Sequence, residues 1–418
     1  MSELVRQISI LTAEDDLTRF WAHSYGLVAD TCSTLYANDL IDLHGHHYLV
    51  DKLEHDIVRD DATLLFIDIS SIQFDPFLLF DLKIKYKLTI VLLAIDDEMK
   101  FSWISSTLST IADLVITSDY TSVDRYRQSG INAHFLPLPV YIPDNLPVKK
   151  EELEHQLSFI GRIDKAKPLR VMYLDILEKE TDISVFGNKG FNGGGFLLAE
   201  EMYSIFRNST INLNFTGITV YGHTDNALFA RIRGMKLRPF EIYAAGGMCL
   251  SEFSISLAQC FKDGEEIVFF NNPRDMLEKI KYFLSHKEEA KKIADAGRTK
   301  VVKNYSDQAT AKSLKRLLQK TDDYKGVDLF GMPHELLVSR LYASTFIELI
   351  IGKSLTFLFK GKFKIVYRDT GYLIKFVKNL WRHLGLLSTV KVCNVVIYRS
   401  VKTQIAKIKR LSVKFVTR

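Results

Sequence analysis

"LRPFEIYAAGGMCLSE" occupies residues 237–252. Arg238 stands three residues before Glu241, so the two share a helix face if this run is helical. Gly246 and Gly247 follow, and then an apolar, strand-like stretch that ends in a second acid. An arginine can give two parallel hydrogen bonds to phosphate oxygens. A glutamate near a strand end can accept two from a ribose diol. The glycines would let the backbone turn tightly and approach a ligand. The same residues also read as a helix-surface ion pair followed by a glycine cap. Taken alone the pattern favours that plainer reading, since such pairs are common.

Upstream, short runs of β-branched residues and leucine recur between longer polar stretches. "QISILT" (7–12), "TLLFIDI" (63–69), "LTIVLLAI" (88–95), "DLVITS" (113–118) and "HFLPLPV" (134–140) make a first series. Almost wholly apolar runs of this length suit parallel strands buried on both faces, with crossover helices between them. A proline cluster from Pro137 to Pro147 marks a linker. A second series follows it: "LSFIGRI" (157–163), "ISVFGN" (183–188), "INLNF" (211–215), "MCLSEF" (248–253) and "EIVFF" (266–270). Asn272-Pro273 reads as a helix cap and first turn, and Ser285 with Glu288 as a capping box. A helix through 308–320 closes the series. The pattern predicts α/β architecture with two doubly wound domains. Their ligand is expected in a cleft they face, at the carboxyl ends of the strands.

A second cationic cluster changes the weight of the first. "SFIGRIDKAKPLR" puts Arg162, Lys167 and Arg170 directly after a strand. Cations there face the ligand crevice and could stabilise a departing diphosphate without a metal. A solvated loop is the plainer alternative.

From "RIRGMKLRPFEIYAAGGMCLSE" through "FKDGEEIVFFNNPRDMLEKIKYFLSHKEEAKKIADAGRTKVVKNYS" the chain resembles the C-terminal domain of group 1 glycosyltransferases, closest to the spore-maturation-protein-like (CgeB-like) subgroup. The shared features are an "R..FE" helix, a small-Gly-Gly turn and a strand ending in Ser-Glu. "F..GEE" before a strand, "A..G" ahead of a helix and a final "Y" complete them. "DLVITSDYTSVDRYRQSGINAHFLPLPV" resembles the end of that group's N-terminal domain. The resemblance covers about residues 60–320 and implies the GT-B fold, with transfer of a sugar from a nucleotide diphosphate sugar. It implies that Glu241 holds the nucleotide ribose. Arg162 and Lys167 match a Gly-Arg…Lys phosphate-binding pair, with Pro168 in place of the usual glycine, and Arg238 matches the helix arginine. Arg233 stands where the first glutamate of the paired-glutamate motif would fall. Such enzymes usually need no bound metal or cofactor, because cations and helix N-termini serve the diphosphate.

The acceptor side is less marked. Asp96 and Asp97 follow a central strand and are expected to face the cleft, as a base or an acceptor ligand. A helix cap with a first-turn acid explains them equally well. His223, in the polar loop "TGITVYGHTDN" (216–226), could touch the donor, though a surface histidine fits as well. "HGHH" (44–47) invites a metal reading, but it lacks carboxylates or cysteines at metal spacing and reads better as a surface loop. No metal site is expected. Cys32, Cys249, Cys260 and Cys393 are scattered without a CxxC pair, as in a reduced, cytoplasmic protein.

Charge divides the chain. Residues 353–418 carry 16 Lys/Arg and one acid, Asp369, for +15, whereas the rest carries −10. The basic stretch interleaves aromatic and aliphatic residues, which suits an anionic membrane surface on the inner face of the cytoplasmic membrane. Packing on the core is the second reading, and nucleic acid the less favoured third. The apolar run 341–359 is interrupted by Glu348 and Lys353 and reads poorly as a span. The expected organisation is 1–142, an acceptor domain; 143–325, a nucleotide-sugar domain; and 326–418, a basic apolar extension. The expected partners are a nucleotide sugar and a glycan, lipid-linked or protein acceptor of the cell envelope. A catalytically silent binding protein and a nucleotide-sugar epimerase are the rival readings.

Overall fold

The computed structural model describes residues 4–69, 74–163, 167–187, 197–218, 232–321 and 339–396. They form two compact units. One comprises residues up to Ile116, Asp124–His134 and the chain from Leu317 onward; the other comprises Thr117–Val123 and Phe135–Arg316.

The first unit is built on a six-stranded sheet of order β2-β1-β3-β4-β5-β6. Its strands are β1 (Arg6–Leu11), β2 (Thr31–Tyr36), β3 (Leu64–Asp68), β4 (Thr89–Ala94), β5 (Leu114–Thr117) and β6 (Ala133–Phe135). β1 runs parallel to β2 and to β3, and β3 parallel to β4, with Ile8 beside Leu65 and Leu65 beside Ile90. All five residues of β3 are buried, as expected of an inner parallel strand covered on both faces. β2 lies at the edge and is half-exposed. Its sequence, "TCSTLY", lacks an apolar run and was not among the expected strands.

The C-terminal stretch contributes its described helices to this same unit. Tyr342, Phe346, Ile347 and Ile350 of the Arg340–Phe359 helix are buried in one cluster with Ile67, Phe74 and Leu79. Phe376 and Leu380 of the Phe363–Leu384 helix join it, as do Val392 and Val396 of the Leu386–Val396 helix. Fully burying side chains of this size contributes roughly 1.5–3 kcal/mol each. Polar contacts fix the register: Tyr342 Oη donates to the Phe74 carbonyl at 2.6 Å, and the Ser339 amide to Thr107 Oγ1 at 3.1 Å. The Arg340–Phe359 helix is long and apolar enough to cross a bilayer by length and composition. In this fold one of its faces is spent on the core.

The second unit carries a five-stranded sheet of order β11-β10-β9-β7-β8. Its strands are β7 (His155–Ile160), β8 (Ile183–Phe186), β9 (Ser209–Asn214), β10 (Cys249–Glu252) and β11 (Val268–Phe270). Every neighbouring pair is parallel. Side chains alternate between two cores, as the period of two requires. Leu157, Phe159, Ile211, Leu213 and Leu250 enter one cluster, and Ile160, Cys249 and Phe269 the other. The Pro273–Ser285 helix starts as expected, with Asn272 accepting from the Asp275 amide and proline in the first turn. The capping box does not form: Ser285 ends that helix, its hydroxyl donating to Lys281 and Tyr282 carbonyls, and His286 caps the next.

Candidate active site

In the second unit the chain leaves β7 for β8 on one side and returns to β9 on the other. The strand order therefore reverses between β7 and β9, and their carboxyl ends diverge into a crevice. A small cavity lies there. It is lined by Lys167, Arg170 and Tyr173 after β7, Phe215 and Gly217 after β9, and Glu252 at the end of β10.

Glu252 organises this crevice. It is only 3% exposed. One carboxylate oxygen, Oε2, accepts from the Thr216 amide at 2.9 Å, the Thr216 hydroxyl at 3.1 Å and the Gly217 amide at 3.2 Å. The other, Oε1, lies 2.6 Å from Arg233 Nε. Gly217 and Arg233 also form an antiparallel backbone bridge, and the Gly234 amide donates to the Thr216 carbonyl at 2.9 Å. A buried carboxylate needs this many donors to offset its lost hydration. Tyr173, nearby, has its phenol pushed up by burial and then by the Glu252 charge. In the sequence Glu252 is the acid that closes an apolar strand and the Glu of the Ser-Glu ending shared with the resembled family, with no role attached. The available signal was a charge closing an apolar strand at its ligand-facing tip.

Arg170 serves the scaffold. It is buried, stacks over the Phe159 ring, and donates to the carbonyls of Arg162 (2.6 Å) and Phe215 (3.3 Å). It thereby ties the loop after β7 to the loop after β9. Those bonds turn two of its nitrogens toward backbone oxygens, while the residue still lines the crevice where a diphosphate grip is expected. Lys167 occupies the cap position of the Pro168–Glu180 helix, with Pro168 at the first helical position, and borders the cavity. Arg162 is exposed on the same loop.

The opening stretch folds as its plainer reading. Arg238 and Glu241 begin the Arg238–Ala244 helix and pair with each other, Nη1 to Oε2 at 2.8 Å. The guanidinium also packs over Phe206 and lies 2.6 Å from Met202 Sδ. Glu241 remains part-exposed, at 17% of its side chain. The glycines approach protein rather than an open crevice. Gly246 has φ +81°, a conformation L side chains rarely adopt. A Cβ on Gly247 would fall onto the Phe206 carbonyl and 2.7 Å from Asn212 Nδ2. Arg298 and Arg207 donate to the carbonyls of Ala244 and Ala245 at this helix end, where cations are favoured.

In the first unit the two acids part company. Asp97 is fully buried, accepting from Ser105 Oγ at 2.5 Å and Tyr126 Oη at 2.6 Å. Its expected exposure toward a cleft is corrected: an acidic first-turn residue has become a buried hydroxyl acceptor. Asp96 keeps 37% of its side chain exposed beside Lys100 (3.7 Å) and sits at φ +58°, just past β4. His223 lies outside the described residues. The "HGHH" stretch is a helix end and a helix start rather than the expected surface loop: His44 is exposed, and His46 and His47 turn toward protein. His46 is buried edge-on against Phe346, with its imidazole pushed down to about 4, chiefly by burial. His47 Nδ1 lies 2.7 Å from Asp369 Oδ1, and its amide donates to the same oxygen at 3.0 Å. Among the described residues no cluster of three or more His, Cys, Asp or Glu could hold a metal.

Residues 170–316, about a third of the chain, match a family model described as "Glycosyl transferase-like". No curated protein is detectably similar in sequence. Several solved structures are similar in fold. The sucrose-phosphate synthase of Thermosynechococcus elongatus shares 9% identity with a TM-score of 0.53, covering 77% of this chain and 100% of that one. The Anabaena protein HepE, solved with UDP and glucose, shares 9% at a TM-score of 0.55, covering 76% and 100%. The lipopolysaccharide outer core galactosyltransferase WaaB shares 13% at 0.51, covering 76% and 99%. The chain thus has the α/β GT-B fold of these glycosyltransferases, and its second unit carries the stretch that matches a glycosyl transferase-like family.

Proposed function

We propose that this protein transfers a glycosyl group from a nucleotide diphosphate sugar to an acceptor hydroxyl, without a bound metal. The observation that carries the reading is the switch point of the second sheet. Lys167, the start of a thirteen-residue helix and the Glu252–Arg233 pair meet there at strand ends. Cationic side chains and helix amides aimed at one place suit the charge that develops on a leaving diphosphate. In this reading Lys167 and Arg162 neutralise that charge, and Arg233, steered by Glu252, adds a third cation. Glu241 accepts from the ribose. The bond between the sugar's anomeric carbon and the diphosphate oxygen breaks, and the nucleotide diphosphate leaves with the electron pair. The acceptor oxygen bonds to that carbon, and its proton passes to a base or to water.

The same motif residues support the finer placement beside the CgeB-like proteins. An envelope acceptor, whether glycan, lipid-linked or protein, is part of the reading and accords with the basic apolar C-terminal helices.

The test is a screen of nucleotide diphosphates and their sugars by thermal shift, followed by product analysis. A ligand that binds only the folded state raises Tm. We expect a rise with one nucleotide series, slow release of free nucleotide diphosphate from its sugar, and activity that survives EDTA. No rise with any nucleotide sinks the reading. Binding without turnover assigns a silent binding protein, and an altered sugar still on its nucleotide assigns an epimerase. Loss with EDTA and rescue by manganese removes the metal-free mechanism.

A further inference from the structure

The Phe363–Leu384 helix has two apolar faces, and only one is used by the fold. Asp369, Phe376 and Leu380 point into the core and are fully buried. Phe363, Tyr367, Ile374 and Trp381 are 67%, 81%, 63% and 53% exposed. At about 100° per residue these four fall within roughly 40° of one another, on a stripe roughly 27 Å long. Phe359 extends the apolar surface before the helix, and Leu386, Leu387 and Val390 extend it beyond. A soluble surface rarely exposes large apolar side chains in such a row without a partner.

Charge around the stripe is sorted by burial. Lys360, Lys362, Lys364, Arg368, Lys375, Lys378, Arg382 and Lys391 are all exposed. The one acid between residues 354 and 396, Asp369, is buried and held by His47. The outer surface of these helices is therefore cationic and apolar, with no carboxylate to repel an anionic partner. Aromatic side chains beside lysines and arginines, along one helix, fit the interface of a bilayer. Apolar rings enter the headgroup boundary there while the cations meet lipid phosphates. Each such cation near an anionic surface contributes about 1 kcal/mol.

We propose that this stripe is a docking face for an anionic lipid bilayer, with Tyr367, Ile374 and Trp381 inserted and Lys364, Lys378 and Arg382 at the phosphate level. It does not depend on the glycosyl-transfer reading. Because the outer stripe is separate from the buried face, its side chains can be changed without opening the core. The test is co-sedimentation of the full chain with phosphatidylcholine vesicles, with and without phosphatidylglycerol. Binding is expected on the anionic vesicles, falling about tenfold or more on neutral ones and in high salt. Trp381 emission should shift to the blue on anionic vesicles, a change absent in Trp381→Phe. The triple variant Tyr367→Ser/Ile374→Ser/Trp381→Ser should lose binding with an unchanged Tm. Equal binding to both vesicle types overturns the proposal, as does full binding by the triple variant. A dimer or nucleic-acid complex abolished by the same variant assigns the stripe to that occupant and overturns it too.

Discussion

Arg233 Nε and Glu252 Oε1 stand 2.6 Å apart, joining the segment before the Arg238–Ala244 helix to the tip of β10. Glu252 is buried, and its other oxygen serves Thr216 and Gly217. Removing a buried partner leaves its neighbours uncompensated, at a cost of about 3–5 kcal/mol. Glu252→Ala should lose stability on that scale in urea unfolding and lose nucleotide-induced stabilisation with it. Glu252→Gln keeps an acceptor for the Thr216 and Gly217 donors and should lose less. Equal stability of Glu252→Ala and the wild type would show that the carboxylate does not hold the crevice together.

Glu241 distinguishes structural pairing from ligand recognition. Its bond to Arg238 is a part-exposed helix pair, a class worth about 0.2–1 kcal/mol to the fold. If Glu241 also accepts from the ribose, Glu241→Ala should weaken nucleotide affinity by about 1–3 kcal/mol. Calorimetric titration of the folded variant reads this directly. An unchanged affinity leaves Glu241 with only its helix partner.

Gly247 should not tolerate alanine. Its missing side chain is replaced in space by the Phe206 carbonyl and Asn212. Gly247→Ala must move one of them, and overpacking of this kind costs about 1–3 kcal/mol. Thermal unfolding checks it, and a Tm at the wild-type value would show that the turn yields.

Two buried groups of the first unit oppose each other in pH dependence. Burial holds the His46 imidazole down at about 4. It is neutral when folded and protonates when unfolded below about 6.5. Its contribution is therefore full above pH 6.5 and is lost as pH falls toward 4, by up to about 3 kcal/mol. Burial pushes Asp75, the cap that accepts from the Phe77 amide at 2.9 Å, up to about 7. Its folded carboxyl stays protonated while the unfolded one ionises, so that stability is lost as pH rises from about 4 to 7. Relative to wild type, His46→Leu should gain as pH falls from 6.5 to 4. Asp75→Asn, which keeps the cap, should gain as pH rises from 4 to 7. Urea unfolding at a series of pH values measures both gaps, and flat differences would remove both assignments.

Strands buried on both faces were legible because their sequences must be apolar: β3 and β4 lie within a residue or two of "TLLFIDI" and "LTIVLLAI". β2 was not, since an edge strand with one neighbour needs no apolar run. Arg162 and Lys167 were legible as cations after a strand. The buried duties of Arg170 and Asp97 were not, because a charged residue's partners are set by tertiary contacts such as the Phe215 carbonyl and the Tyr126 hydroxyl. His47 gave no hint of Asp369, which lies 322 residues away along the chain.

That long reach sets a schedule for synthesis. The first unit's sheet is complete in the chain by Phe135, yet Tyr342, Phe346, Phe376 and Leu380 belong to its core. On a ribosome adding about 5–20 residues per second, the apolar surface around Phe74 waits on the order of tens of seconds for its cover. The second unit is completed in the chain at Arg316, within that wait, and can fold first. A nascent chain stopped near residue 325 would therefore carry a finished second unit and an open first one. The expected consequence is capture by chaperones during translation, and aggregation of any product that ends short of the Tyr342 helix.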